Sequence, residues 1–336
     1  MGRFRSWGRG LPIAVVALLL AVLAFSVRQT EPGPQPVSKL DLRVGAFDGD
    51  VGALHWIAQD KGFFDKAGLN VVLTGFATGK QAVDALRDGL VDVATASEFV
   101  VATRGFDERD LRILSTVSQY WNKALIARRD RGVGRAADLA GKRVGVTVTS
   151  TAEHTLKVFL ATNGIADAEV TLVNLLPGKL VAAIADGQVD AAITWQPHAD
   201  KIVHALGGNG VTLLERGTEA FLLAVTRQDL LASKSPAFER MLAALAGAAA
   251  WVRDNPAEAK EYLGQRFKLA PDVVEAVWGR TTFSVRLPQE MVEAMDSEAR
   301  WFAQGRQPAE PPNVMDFVHA QLLQAVDAKA VTVVGD

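Results

Sequence analysis

Apolar and polar residues alternate from Leu40 to Ala46 (LDLRVGA), the period of a half-buried strand. The period then lengthens over Gly52 to Lys61, where Leu54, Ile57 and Ala58 share one helical face. Gly62 is placed to stop that helix, Phe63 and Phe64 to cover a core, and Gly68 to turn the chain into a strand over Asn70 to Thr74. Asp84 to Ser97 (DALRDGLVDVATAS) reads as an Ala/Leu-rich helix end, a Gly able to take the left-handed conformation, a tight turn and a short apolar strand. Ala182 to Trp195 (AAIADGQVDAAITW) repeats it: Gly89 and Gly187 lie 98 residues apart, and at that offset Asp88, Val91, Asp92 and Ala94 meet Asp186, Val189, Asp190 and Ala192. A second match, Arg43-Val44-Gly45 with Arg143-Val144-Gly145, lies 100 residues apart.

Apolar runs predict further strands at Leu111 to Val117, Ala124 to Arg128, Val144 to Val148, Val170 to Val173 and Ala220 to Thr226, with a helix over Ala152 to Asn163. Beyond Thr226 the pattern is helical, with turn signals at Ser235-Pro236, Asn255-Pro256 and Ala270-Pro271. The prediction is an α/β fold of two similar lobes, residues 39–128 with 220–336 and residues 129–219, hinged near Arg128 to Gly134 and Glu219 to Ala220. The helical tail is expected on lobe one. Loops at the carboxyl ends of the strands would face the cleft, where open α/β sheets bind ligands.

Composition agrees with a globular chain of roughly two domains: 336 residues, 49% apolar and 22% charged. The net charge of −2 makes no case for nucleic acid. With no cysteine, disulfides, thiolate metal sites, thiol nucleophiles and a lipidated N-terminal Cys are excluded together. His198 and His204 lie six apart and so on different helix faces, no metal pair. No G-x-S-x-G, H-E-x-x-H or Walker sequence is present, and neither a catalytic residue nor a cofactor is expected. Residues 1–38 read as an export signal or anchor with its linker: Arg3, Arg5 and Arg9 precede the 17 uncharged residues Leu11 to Val27. That run fits both a cleaved signal, cut after Ser26, and an uncleaved inner-membrane anchor, and in either case the body faces outside.

Binding chemistry concentrates at strand ends. Thr149-Ser150-Thr151 precedes a helix, so backbone N–H groups, the helix dipole and hydroxyls can together hold an anion; ordinary N-capping with Glu153 assisting is the other reading. Trp195 can stack on a ring or wall an aliphatic tail, and Gln196 can donate or accept, with core packing as the alternative. The opposing candidates are Phe47-Asp48-Gly49-Asp50, Ser97-Glu98 and Tyr120-Trp121-Asn122. Asp48, Asp50 and Glu98, if they face the cleft, would repel a bare sulfonate or nitrate and favour a ligand carrying an amine or aminopyrimidine. Lys80 is a compensating cation or a solvated one.

Taken together, KGFFDKAGL, GKQAVDALRDGLVDVA, DLAGKRVGVTVTSTAEHTL and LVAAIADGQVDAAITWQP resemble the substrate-binding proteins of ABC importers, in the branch for alkanesulfonates, taurine, nitrate and thiamine-pyrimidine precursors. The resemblance covers about Leu40 to Leu231. It implies a type II periplasmic binding fold closing on a small molecule, a monomer, and an ABC permease and ATPase as partners. It also implies that Thr149 to Thr151 and the Trp-x-Pro at Trp195 face the cleft. A membrane-anchored sensor remains an alternative. A third reading, an enzyme like the pyrimidine synthases, is disfavoured because those use a cysteine-rich motif.

Overall fold

The computed structural model describes residues 1–2, 39–304 and 310–334. The expected leader, beyond its first two residues, lies outside the described residues, among which no helix is long and apolar enough to cross a membrane. Lys39–Asp336 form one compact unit. Its strands are β1 (Leu40–Phe47), β2 (Leu69–Phe76), β3 (Val93–Ser97), β4 (Leu111–Tyr120), β5 (Lys123–Arg128), β6 (Arg143–Val146), β7 (Thr171–Asn174), β8 (Ala191–Trp195), β9 (Gly210–Leu214), β10 (Ala220–Arg227) and β11 (Thr281–Arg286). They make two sheets, ordered β11-β4-β10-β3-β1-β2 and β7-β6-β8-β5-β9.

Setting aside edge strand β11, the sheets share one plan. In the first, β2, β1 and β3 are parallel and β10 runs antiparallel to β3; in the second, β7, β6 and β8 are parallel and β5 runs antiparallel to β8. Gly45 faces Ala94 across one pair and Gly145 faces Ala192 across the other. The repeat is the recurring unit of this plan. Gly89 and Gly187 both adopt the left-handed conformation, at φ 69° and 72°. Three residues past each glycine, an aspartate reaches back to the first strand. Asp92 accepts from the Arg43 backbone N–H at 2.9 Å and its guanidinium at 2.6 Å; Asp190 does the same with Arg143 at 2.9 and 2.8 Å. The guanidinium also donates to the carbonyl of Gly89 or Gly187.

The chain changes sheets one strand earlier than the apolar runs suggest. β5 belongs to the second sheet, so the first crossing is Trp121-Asn122, between β4 and β5, and Arg128 to Gly134 lie at the far end of β5. The reason is pairing: Lys123 to Ala127 find antiparallel partners on β8, Trp195 to Ala191. The return crossing lies between β9 and β10 and includes Glu219.

The tail departs from its pattern twice. Ser235-Pro236 does not turn the chain; Pro236 lies inside the helix Gln228–Asp254. An interior proline removes a helix hydrogen bond at a cost of about 3 kcal/mol, which burial of Phe238, Met241, Leu242 and Leu245 on that helix offsets. β11, in a region read as helical, adds an edge strand against β4. The helix Gln228–Asp254 packs across β4, β10 and the helix Ala53–Asp60, and the helix Gln289–Ala303 packs on the helix Glu98–Arg104.

Candidate functional site

A cavity of about 290 Å³ opens between the sheets at the carboxyl ends of β1, β3, β6 and β8. Four repeat-related pairs contribute to its walls: Phe47 and Thr147, Val51 and Thr151, Thr78 and Leu176, Ser97 and Trp195 all line it, each pair 98 or 100 residues apart. One strand-and-helix plan, used twice and face to face, thus builds a single pocket. Tyr120, Asn122 and Leu222 at the crossings complete it.

On the second lobe the loop Thr147 to Ser150 leads into the twelve-residue helix Thr151–Thr162. The Ser150 hydroxyl accepts from the Ala152 N–H at 3.2 Å and donates to the Thr147 carbonyl at 2.6 Å, and the Glu153 carboxylate accepts from the Thr149 N–H at 2.6 Å. The capping reading is therefore real, and the same loop lines the cavity. Thr149 sits at φ 57°. A β-branched residue in that region is strained, and such strain is retained where the neighbours over-determine it. The Asn174 side chain, accepting from the Val148 N–H at 3.2 Å, and the Thr147 hydroxyl, donating to the Leu175 carbonyl at 2.8 Å, supply that restraint.

On the first lobe the nine-residue helix Gly79–Arg87 begins at the cavity, and its N-cap Thr78 accepts from the Gln81 N–H at 3.2 Å. Gly79 has no room for a side chain: an added Cβ would stand 2.8 Å from the Ala96 Cα. Thr78, Gly79, Lys80 and Gln81 all line the pocket. Of these four only Lys80, as a compensating or a solvated cation, is a candidate by sequence. The usable signal was the repeat itself, since Thr78-Gly79 stands 98 residues before Leu176-Pro177. Lys80, about half exposed and paired with Asp84 at 2.9 Å, is the one charged side chain among the described residues lining the cavity.

Of the residues singled out by sequence, Phe47, Ser97, Asn122, Thr149, Ser150, Thr151 and Trp195 come together here. Asp48, Glu98, Trp121 and Gln196 do not. Asp48 points outward to Arg266 at 3.1 Å. Glu98 is fully buried, with one carboxylate oxygen accepting from the Phe221 N–H at 2.9 Å. Trp121 is half-buried on the crossing and donates its backbone N–H to the Arg280 carbonyl. Gln196 is held by Asp200, donating to its carboxylate at 2.8 Å and accepting from its N–H at 3.2 Å. Asp50 is buried as well, and burial pushes its carboxyl up to about 7. The acids expected to repel an anion are thus paired or buried away from the pocket, and no carboxylate is among its lining residues. Burial also drives the Tyr120 phenol well above its ordinary value, so at neutral pH it keeps its proton.

The profile of the NMT1/THI5-like family matches residues 53–259. The chain belongs to this NMT1/THI5-like family. It is similar to the taurine-binding periplasmic protein of Escherichia coli K12, 29% identical over 161 residues, which are 47% of this chain and 48% of that protein; the match spans about half of that relative. Among solved structures it resembles the alkanesulfonate-binding protein SsuA from Xanthomonas axonopodis pv. citri bound to MOPS (23% identity, 84% of this chain and 99% of that one, TM-score 0.72). It also resembles the nitrate-binding protein NrtA from Synechocystis PCC 6803 (18% identity, 87% and 89%, TM-score 0.69). The architecture of this NMT1/THI5-like chain is the two-lobed type II periplasmic binding protein fold.

Proposed function

We propose that this chain is an extracytoplasmic solute-binding protein of an ABC importer. It takes a small organic anion of the sulfonate class into the interlobe cavity, closes about the crossings at Trp121-Asn122 and Glu219, and presents the loaded form to a permease and ATPase. The observation that carries this reading is the charge of the cavity: two helix N-termini, several hydroxyls and Lys80 line it, without a carboxylate. The apolar lining residues Val51, Val100, Leu176, Trp195 and Leu222, contributed by both lobes, suit a hydrocarbon body. A ligand ammonium would find no carboxylate there, so an alkanesulfonate suits the site better than taurine or an aminopyrimidine. The binding-protein names of the relatives support a receptor in place of an enzyme, and the periplasmic relative supports export of the body. The expected form is a monomer, with the leader either cleaved or kept as an anchor.

Thermal melting tests the reading. Protein unfolded and refolded to strip carried solute is melted with hexanesulfonate, methanesulfonate, taurine, nitrate and an aminopyrimidine. A ligand at ~100 times its Kd adds about 2.7 kcal/mol of stability, and hexanesulfonate is expected to give the largest upward shift. A larger shift with the aminopyrimidine would overturn the anion assignment. No shift with any of the five would remove the import reading.

A further inference from the structure

Directly behind the cavity, a cluster of buried polar groups is assembled half from each lobe. The helix Thr151–Thr162, which carries part of the cavity at its N-terminus, presents His154 one turn later. The imidazole is stacked on Phe99 at 5.3 Å between ring centroids and meets the edge of Trp301 at 4.9 Å. Phe99 lies two residues after cavity residue Ser97, and Trp301 is on the helix Gln289–Ala303. His154 Nδ1 stands 3.6 Å from the Glu298 carboxylate, outside hydrogen-bond reach but inside ion-pair distance. Lys123, the first residue of β5 and fully buried, completes the group with Glu98. Lys123 Nζ and one carboxylate oxygen each of Glu98 and Glu298 have no hydrogen-bond partner among the described residues, nor has His154 Nδ1.

We propose that the His154–Glu298 contact, walled by Phe99 and Trp301, is an interlobe clasp that positions the Thr147–Thr151 loop against lobe one and exists only while the lobes are closed. The aromatic sandwich supplies attraction, while the unmet polar atoms oppose burial and are relieved when water enters the opened cleft. Opposed contributions of this kind leave closure near balance in the empty protein, the condition in which a solute can decide it.

The cluster also ties closure to protons. Burial holds the Glu298 carboxyl well above its ordinary range, and burial with the Lys123 charge holds His154 down to about 4. Closing therefore takes up a proton at Glu298 and, below about pH 6.5, expels one from His154. Glu98, pushed up to about 7 by burial, and Lys123, pushed down to about 8 by burial, face the same space and oppose each other in sign; Glu219 lies nearby. Falling pH should favour closure down to about pH 6.5 and then level off.

The test needs no ligand, so a protein that binds no sulfonate would still report on the clasp. The chain has no cysteine, so Asp88→Cys and Asp186→Cys, exposed and repeat-related, accept one spin label on each lobe. Interlobe distances are measured in full-length protein from pH 5 to 8. His154→Ala and Glu298→Ala are expected to shift the population toward longer separations, and Glu298→Gln, which keeps the shape, to abolish the rise in closure as pH falls from 8 to 6.5. Melting curves exclude unfolded variants, and Phe99→Leu replaces any that does not fold. Distributions unchanged in the variants, or a wild type fully open at every pH, would overturn the clasp.

Discussion

The two lobes carry the same arginine–aspartate clasp, yet the copies sit in different surroundings. In lobe one the Asp92 side chain is 1% exposed and takes a second cation, Lys234 of the long C-terminal helix, at 2.9 Å. In lobe two the Asp190 side chain is 11% exposed and has Arg143 alone as an ion-pair partner among the described residues. The local motif recurs because a parallel strand must leave the turn after a helix and pair with the first strand of its lobe. What the motif is worth depends on what covers it, and only lobe one has the C-terminal helices.

The largest expected effect follows from that difference. Asp92→Ala strands a backbone N–H and two cations and should lower stability by about 3 kcal/mol, the partial solvation of Arg43 and Lys234 limiting the loss. Asp190→Ala should cost about 1.5 kcal/mol. Urea titrations of both variants measure this, and equal losses would show that the C-terminal cover is irrelevant to the clasp.

The paired cavity positions sharpen the comparison at the ligand. Trp195→Ala should weaken hexanesulfonate binding by about 2 kcal/mol, roughly 30-fold. Ser97→Ala removes only a hydroxyl that already caps a helix by accepting from the Val100 N–H at 3.4 Å, and should change affinity less than about fivefold. Calorimetry on the two variants decides; a reversed order would move the ligand to the lobe-one wall.

Gly45 and Gly145 test the packing beneath. An added Cβ would stand 3.0 Å from a Phe76 ring carbon in lobe one and 2.7 Å from a Leu180 methyl in lobe two. Gly145→Ala should then cost about 1 to 2 kcal/mol and Gly45→Ala less, read as shifts in melting temperature.

The smallest effect is acid sensitivity. Hydrogen bonds from Arg43 and Lys234 hold the Asp92 carboxyl below its ordinary value, and Arg143 does so for Asp190. A depressed carboxylate contributes stability above its unfolded pKa of ~4 and loses it as pH falls through the folded value. Wild-type stability should therefore decline below about pH 4, and Asp92→Asn should flatten that decline more than Asp190→Asn.

Periodicity, glycine placement and the 98-residue offset were enough to read two similar α/β lobes, their left-handed glycine turns and ligand loops at strand ends, while the facing of Thr149 to Thr151 and Trp195 into the cleft came from the family resemblance. These features are local: each follows from the dihedral freedom of a glycine or the burial of one face of an element within a few residues. Sheet membership of β5 was not legible, because an apolar run is the same string whichever sheet it joins, and the pairing with β8 decides. Nor was the fate of the acids and of Gln196: Asp48 meets Arg266, Glu98 meets the Phe221 N–H, and Gln196 meets Asp200. Pro236 reads as a break until the core contacts of Phe238 and Met241 are known. Local sequence thus determined the repeating lobe plan, since that rests on bonds and contacts between near neighbours. The sign of charge facing the solute and the joining of the lobes through His154 and Glu298 were decided by tertiary structure alone, because each depends on a partner dozens to hundreds of residues away.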